Sequence, residues 1–388
     1  MNTELRNKIA VKSLSFGHFT LDIYSGFLNP VMPFIAAKIG ITMTVATIII
    51  SLASIVGSCS QPFFGYIADG WRKRFFIFWG LILASFFISA IGLSDNMFQL
   101  FLCVILGHLG IALYHPQATS FVPSFSNSEN LSKDISLFIA MGTLGFALGP
   151  AVSSYITDFY GAEKLIFASI FGVLYAVFLL FAVPKIEKNM VNKKDMSLFQ
   201  ALKDIFSNRT MFILILAASV KSFISSTFLI LLPFYWKSIG WQVSKIGFIL
   251  FLFTLFGAVG ILTSPHIEKR FGIKKTFYCS FLFIFPLAIL FVYLQNVNQI
   301  LSIITLLMVQ FLCFLSVPVT MSTAQKIMPE HKSMTAGFIG GLSWGIIGLI
   351  LPLFSLIAEH VGIMNVVVSV TIIPLIFCHF VKYLPEKV

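Results

Sequence analysis

The sequence predicts an all-α polytopic membrane protein, and three features of its 388 residues lead to that fold class. Charged residues make up 11% of the chain, well below the roughly 25% of soluble domains, and mean hydropathy is +0.95. Long stretches carry no Asp, Glu, Lys or Arg at all: 75–94, 96–128 and 276–325. These runs are apolar on all sides, unlike the alternating strands of outer-membrane barrels. Too few charges remain to cover a water-soluble body, which excludes cytosolic enzymes and nucleic-acid-binding domains.

The apolar runs divide into twelve predicted spans, because a helix that crosses a bilayer needs about 20 apolar residues. In the first half, Lys38, the basic trio 72–74 and Asp95 lie in the first three loops, and Lys133 and Lys164 lie at the ends of the next two. The predicted spans, in order, are 13–36, 44–68, 75–93, 97–121, 133–157, 163–183, 210–236, 243–265, 276–294, 299–324, 333–358 and 361–383.

Charged residues separate the predicted spans of the second half in the same way. Lys237 and Lys245 mark its first loop, and the basic run 269–275 marks its second. The charge-free run 276–325 is long enough for two spans with their loop. Lys326 and Lys332 then precede the eleventh span.

The distribution of lysine and arginine orients the chain. With the N-terminus inside, 21 of the 26 basic residues fall in inner segments, four in outer loops, and one, Lys221, inside a span. Because basic residues accumulate in cytoplasmic loops, we expect both termini to be cytoplasmic. The net charge of +11 therefore reflects topology. The five cysteines all fall in apolar runs without a CxxC pair, which predicts packing residues instead of a disulfide or metal framework.

A single long polar stretch divides the chain into three predicted parts: an N-terminal six-helix half (1–183), a cytoplasmic linker (184–209) and a C-terminal six-helix half (210–388). The two halves resemble each other, since the prolines of Asn29-Pro30 and Leu232-Pro233 lie 203 positions apart, at equivalent places in the first span of each half. Repeated halves are typical of secondary transporters, whose substrate site lies between the repeats.

The loop between spans two and three carries a family signature. Gly65, Asp69, Arg72, Lys73 and Arg74 resemble the G-x-x-x-D-R/K-x-G-R/K-R/K loop of the major facilitator superfamily, although a glycine follows Asp69 where the family has a basic residue. In the family this loop is a latch between helices that closes the inner gate. A plain topology signal is the alternative reading of the basic trio.

Further motifs narrow the resemblance. Gly145, Gly149 and Pro150 resemble the superfamily's antiporter motif in span five, a helix-packing sequence. Five other segments resemble the fosmidomycin-resistance branch of drug:proton antiporters: Gly17-His18 with Asp22, Gln61-Pro62 with Gly65-Tyr66, Tyr114-His115-Pro116-Gln117, Lys221, and Ala324-Gln325 with Met328-Pro329. The branch usually has His-Pro-Glu in span four, whereas this chain has Gln117, so a carboxylate that could carry a proton is missing there.

Ionisable residues inside spans are candidates for a role in transport, because burying charge in hydrocarbon is costly and such residues are rare unless they have a function. His18 and Asp22 are four residues apart and share a helix face. The resemblance places His115 in the same chamber. A carboxylate beside imidazoles can bind and release a proton, so Asp22, His18 and His115 are the predicted proton-coupling residues. The alternatives are a structural ion pair in span one and a His115 bonded to a backbone carbonyl.

The predicted substrate-binding residues are Lys221, His115, Gln117, His108 and Gln310. Lys221 can bind an anion as a point charge or form an ion pair with Asp22. His108 shares a face with His115, and a structural role is its alternative. Gln310 is an intramembrane amide for which polar contact between helices is the main alternative. Gln117 lies 200° from His115 on a straight helix, so joint exposure to the chamber requires the kink expected at Pro116.

These features predict a proton-coupled exporter of a small organic compound, with fosmidomycin, a phosphonate, as the candidate substrate from the resemblance. A proton-coupled importer of an organic anion is the alternative, and a non-transporting receptor on a transporter fold is a distant one. Walker-type and H-E-x-x-H motifs are absent from the sequence, so we expect neither an enzyme nor a cofactor. The expected setting is a bacterial inner membrane, with protons, lipid and substrate as partners and a monomer as the working state.

Overall fold

The computed structural model describes residues 3–61, 63–64, 67, 75–127, 130–184, 207–328, 339 and 343–386, and these residues form helices without strands. Ten helical stretches among them are long and apolar enough to cross a membrane, and Met43–Cys59 is a shorter apolar helix. This confirms the predicted fold class. The α-helices are α1 (Thr3–Ser25), α2 (Leu28–Ile39), α3 (Met43–Cys59), α4 (Phe75–Ala90), α5 (Met97–Phe125), α6 (Leu131–Tyr160), α7 (Ser169–Ala182), α8 (Arg209–Ser238), α9 (Val243–Phe271), α10 (Ile273–Leu282), α11 (Ile284–Leu294), α12 (Gln299–Leu315), α13 (Val317–Ile327), α14 (Ser343–Val361), α15 (Ile363–Val370) and α16 (Ile372–Val381).

Four predicted spans are broken near their middle, and each break precedes a proline. The breaks lie before Pro30, Pro286, Pro318 and Pro374 and separate α1 from α2, α10 from α11, α12 from α13, and α15 from α16. Proline has no N–H for the carbonyl four residues earlier, so the helical ladder loses a hydrogen bond at that point. The spans are therefore composite helices.

Helix ends follow from local sequence. Thr42 caps α3 by accepting the Val45 N–H at 3.3 Å, and Asn298 caps α12 in the same manner. Gly40 and Gly240 follow α2 and α8 with φ of 73° and 82°, a conformation that favours glycine. These two glycines lie 200 positions apart, so equivalent turns follow the first span of each predicted half.

The chain folds as two compact units. The first comprises Met1–Met190 with Trp236–Phe251, and the second comprises Val191–Tyr235 with Leu252–Val388. The division predicted from the linker at 184–209 stays a prediction, because most of that linker (185–206) is outside the described residues.

In the first unit, α1 packs against α6, and α5 packs against α3 and α4. A buried cluster joins α1 to α4, α5 and α7 through Leu14, Leu81, Tyr114 and Leu179. Helix α1 is therefore enclosed by neighbours and can bring its polar residues against α5 and α6.

In the second unit, α11 packs against α12, α10 against α16, and α14 against α15. Arg209 at the start of α8 places its guanidinium 3.9 Å from the centre of the Tyr383 ring. This contact links the first helix of the unit to the end of the chain.

Candidate functional site

Three ionisable side chains meet between α1 and α5 of the first unit. His18 Nε2 lies 3.1 Å from Asp22 Oδ2, and His115 Nε2 lies 3.4 Å from Asp22 Oδ1. The two imidazole rings are 4.9 Å apart, edge to face. Asp22 thus has one imidazole on each carboxylate oxygen. Spacing on α1 predicts the first contact, whereas only the packing of α5 brings the second.

The orientation of His18 is set by α6. Its Nδ1 lies 2.8 Å from the Phe138 carbonyl oxygen. A carbonyl only accepts hydrogen bonds, so Nδ1 carries a proton and donates it. In a neutral imidazole Nε2 would then present a lone pair to the Asp22 carboxylate. The 3.1 Å contact therefore requires a proton on one of the two facing atoms, or a cation between them.

The walls around this site are tightly packed. The Phe138 ring stacks on His18 at 4.1 Å between centroids, and His18 is 8% exposed. A side chain at Gly142 would collide with the His18 ring. Ser25 Oγ donates to Asp22 Oδ1 at 3.2 Å from the next turn of α1. These contacts restrict the rotamers of His18 and Asp22, so the site is preorganised.

The other two predicted polar residues of α5 point to neighbouring helices. His108 Nδ1 lies 2.9 Å from the Val104 carbonyl in its own helix, and its ring packs beside Gly57 of α3. Gln117 is buried, and its Oε1 accepts the Ile77 N–H at 2.9 Å. Ile77 is the third residue of α4 as described, since residues 68–74 lie outside the described part of the chain. The substrate-binding roles predicted for His108 and Gln117 stay predictions.

Lys221 forms a separate site in the second unit. It is 8% exposed, and its Nζ lies 4.6 Å from the Phe314 ring centre and 6.0 Å from that of Trp344. Both distances are in the range of cation–π attraction. Among the described residues of this unit, no carboxylate lies within ion-pair distance of the Lys221 ammonium. An ammonium held by aromatic rings retains capacity for an anion.

Gln310 lies one helical turn before Phe314 on α12, and both pack against Gly257 of α9. The Gln310 side chain is buried, and within the described part of the chain its Oε1 has no hydrogen-bond partner. A buried amide oxygen without a partner is rare and costs free energy. Gln310 therefore offers an acceptor in the same helix that supports Lys221.

The predicted helix-packing motif lies where α6 crosses α1. A side chain at Gly145 would collide with the Phe19 backbone, and one at Gly149 would collide with the Ile23 carbonyl. Pro150, the last residue of the motif, would in turn meet a side chain placed at Gly26. The motif therefore permits close approach of the two helices that carry His18 and Phe138.

The predicted latch falls in a gap between the described segments. Gly65, Asp69, Arg72, Lys73 and Arg74 all lie outside the described residues, and their role stays a prediction.

Several site residues could not be found from sequence. Phe138 acts through its backbone carbonyl, and Phe314 is one of 44 phenylalanines, so neither carries a distinguishing pattern. No sequence pattern connects Trp344 with Lys221 either. Ser25 is three residues from Asp22, and helix spacing alone could have indicated that contact.

The sequence matches the Major Facilitator Superfamily over residues 14–376. The chain belongs to this superfamily. Its family and fold are those of multi-pass membrane transporters, which bind small-molecule substrates and are not enzymes.

Two relatives are drug-resistance proteins. Multidrug resistance protein 1 of Bacillus subtilis is 22% identical over 182 residues, which cover 47% of each chain. Quinolone resistance protein NorA of Staphylococcus aureus is 25% identical over 161 residues, or 42% of each chain. The matched segments thus span less than half the length of these relatives.

Among solved structures, a mutant form of the nucleoside transporter NupG superposes with a TM-score of 0.77 at 16% identity. The match covers 98% of this chain and 99% of that one. At this level of identity the likeness shows the fold alone.

Proposed function

We propose that the chain is a proton-coupled exporter of a small organic compound that works by alternating access. The observation that carries this proposal is the buried contact of Asp22 with His18 and His115. Because the Phe138 carbonyl fixes the His18 tautomer, the His18–Asp22 contact is favourable only with a proton present. Loss of that proton makes the contact repulsive, so the protonation state biases the packing of α1 against α5 and α6.

The proposed substrate site includes Lys221. Its buried ammonium is held by Phe314 and Trp344, which leaves it able to bind an anionic group as a point charge. The aromatic rings add flat apolar area suited to an amphipathic compound. Gln310 is proposed as a further polar contact of this site in the second unit. The substrate-binding roles predicted for His115, Gln117 and His108 are retained as proposals from the sequence.

The proposed branch is the fosmidomycin-resistance family, on the sequence segments that resemble it. Drug-resistance relatives support export of a toxic compound. A phosphonate such as fosmidomycin carries the negative charge that Lys221 would bind. The proposed setting is a bacterial inner membrane with both termini in the cytoplasm, and the proposed working state is a monomer.

Transport in proteoliposomes tests this function. The purified protein is reconstituted with a pH-sensitive dye inside, and a panel of anionic, neutral and cationic compounds that includes fosmidomycin is added under an imposed pH gradient. We expect substrate to move against the proton flux and internal pH to change only when a substrate is present.

Two results would contradict the proposal. Substrate movement that is indifferent to the pH gradient would remove proton coupling. If substrate and protons move in the same direction, the protein is an importer of an organic anion, which is the alternative to an exporter. Empty liposomes serve as the reference for leakage.

A further inference from the structure

We infer that His18, Asp22 and His115 form a binding site for a divalent transition-metal ion of the Zn²⁺ and Co²⁺ class. One ligand atom from each residue can be chosen so that all three lie within 4.8 Å of one another. Two imidazole nitrogens and a carboxylate oxygen are a common ligand set for zinc, with the fourth position open.

The separations of the ligand atoms suit such an ion. Metal–ligand bonds of about 2.0–2.2 Å in a tetrahedral site place neighbouring ligand atoms roughly 3.3 Å apart. The His18 Nε2–Asp22 Oδ2 and His115 Nε2–Asp22 Oδ1 separations are 3.1 Å and 3.4 Å. The two separations involve different carboxylate oxygens, so binding requires the Asp22 carboxylate and the His115 ring to rotate until one oxygen and both nitrogens face a common point.

The residues around the ligands have the roles expected at a metal site. A histidine ligand usually donates its other ring N–H to a carbonyl or carboxylate, which fixes the lone pair that faces the metal. His18 does this through Nδ1 and the Phe138 carbonyl at 2.8 Å. Ser25 donates to Asp22 Oδ1 at 3.2 Å and orients the carboxylate.

The ligand types select among metals. Mg²⁺ and Ca²⁺ take six or more oxygen ligands, and this cluster offers two nitrogens. Copper(I) prefers thiolates and thioethers, whereas imidazole with carboxylate suits zinc, cobalt, nickel and iron(II). The inference is therefore restricted to borderline divalent ions.

The positive charge that the His18–Asp22 contact requires can come from a proton or from such a metal ion. The two would then exclude one another, and a bound ion would arrest the carrier. This consequence rests on the proposed function, but the binding itself does not.

Binding is measured first, on full-length protein in detergent with its affinity tag removed. Zn²⁺ is titrated by calorimetry, and Co²⁺ is titrated by its visible absorption, which reports coordination geometry. We expect one ion per chain, with Asp22→Asn and His115→Ala each weakening binding by more than about 100-fold, since even outer-shell changes cost 10–100-fold. His266→Gln is the control, because His266 is an exposed histidine outside the cluster.

Each variant is accepted only with a wild-type elution profile and melting temperature, and the two ligand variants check each other. Binding that is unchanged by both substitutions, or that is absent in wild-type protein, would overturn the inference. Transport measured in parallel, in the presence of a metal chelator, separates the two proposals. If pH-driven transport is seen but no metal binds, the proposed function is supported and the metal site is rejected. If metal binds but no transport is seen, the metal site is supported and the proposed function is rejected.

Discussion

Asp22 and Lys221 are buried ionisable residues with opposite surroundings. The carboxylate of Asp22 contacts two imidazoles, which can exchange protons, and the Ser25 hydroxyl, which donates a hydrogen bond. The ammonium of Lys221 contacts two aromatic rings, which attract a cation but neutralise no charge. Asp22 therefore suits proton exchange, and Lys221 suits recognition of an anion.

Replacing Asp22 by Asn tests the first role. The substitution keeps the size of the side chain but removes the group that exchanges a proton, so transport driven by a pH gradient should fall to the level of empty liposomes. Dye-reported proton flux in proteoliposomes measures this. Asp95→Asn is the control, because Asp95 pairs with Lys38 on an exposed surface. Full coupling in Asp22→Asn protein would remove this residue from the mechanism.

Replacing Lys221 by Ala tests the second role. Loss of a charge-assisted contact costs about 1.5–3 kcal/mol, so the affinity for an anionic substrate should fall roughly 10- to 100-fold. A neutral substrate should lose much less. Competition binding with one compound of each charge measures the difference, and Lys164→Ala, at an exposed lysine beside Phe167, is the control. Equal losses for both compounds would instead indicate an ion-pair role for Lys221.

At the scale of elements, the crossing of α1 and α6 depends on glycines. Gly145→Ala should destabilise the protein by about 1–3 kcal/mol, because the new methyl group would collide with the Phe19 backbone. Gly57→Ala is the control, since a methyl group there would make only an ordinary contact with His108 at 3.4 Å. Melting temperatures of both variants measure the effect. A Gly145→Ala protein as stable as wild type would show that α1 and α6 separate easily.

The contact of α5 with α4 depends on Gln117. Gln117→Leu leaves the Ile77 N–H without its acceptor and should cost about 1–3 kcal/mol. Gln117→Glu keeps an acceptor at the same position and should retain more of the stability when the two melting temperatures are compared. If Gln117→Leu melts like wild type, the contact contributes nothing to the packing of these helices.

At the scale of the whole molecule, the basic residues predict orientation. A cysteine at Asp95 should react with a membrane-impermeant thiol reagent added outside, whereas a cysteine at Asn127 should react only after the membrane is opened. The five native cysteines, none of which is in a disulfide, are first replaced. The reverse labelling pattern would invert the predicted topology.

Sequence and structure differ most where distant segments meet. Apolar run length predicts the ten long spans because each crossing of the bilayer needs about 20 apolar residues, whether it is one helix or two. The positions of the helix breaks do not follow from proline alone, because Pro116, Pro150 and Pro233 lie inside continuous helices. The contacts of the Phe138 carbonyl and of the aromatic rings around Lys221 could not be predicted from the sequence, because backbone acceptors and common aromatic residues form no distinctive pattern along the chain.

The fold class and the short set of ionisable residues in the spans follow from the amino-acid sequence, since hydrocarbon permits few charges and demands long apolar helices. The sequence also predicts the orientation. Which of those residues meet depends on how the helices pack. His18 and Asp22 share one helix, but His115 joins them through the packing of α5 against α1. Gln117 points to α4 and His108 to α3, because residues on different faces of one helix contact different neighbours.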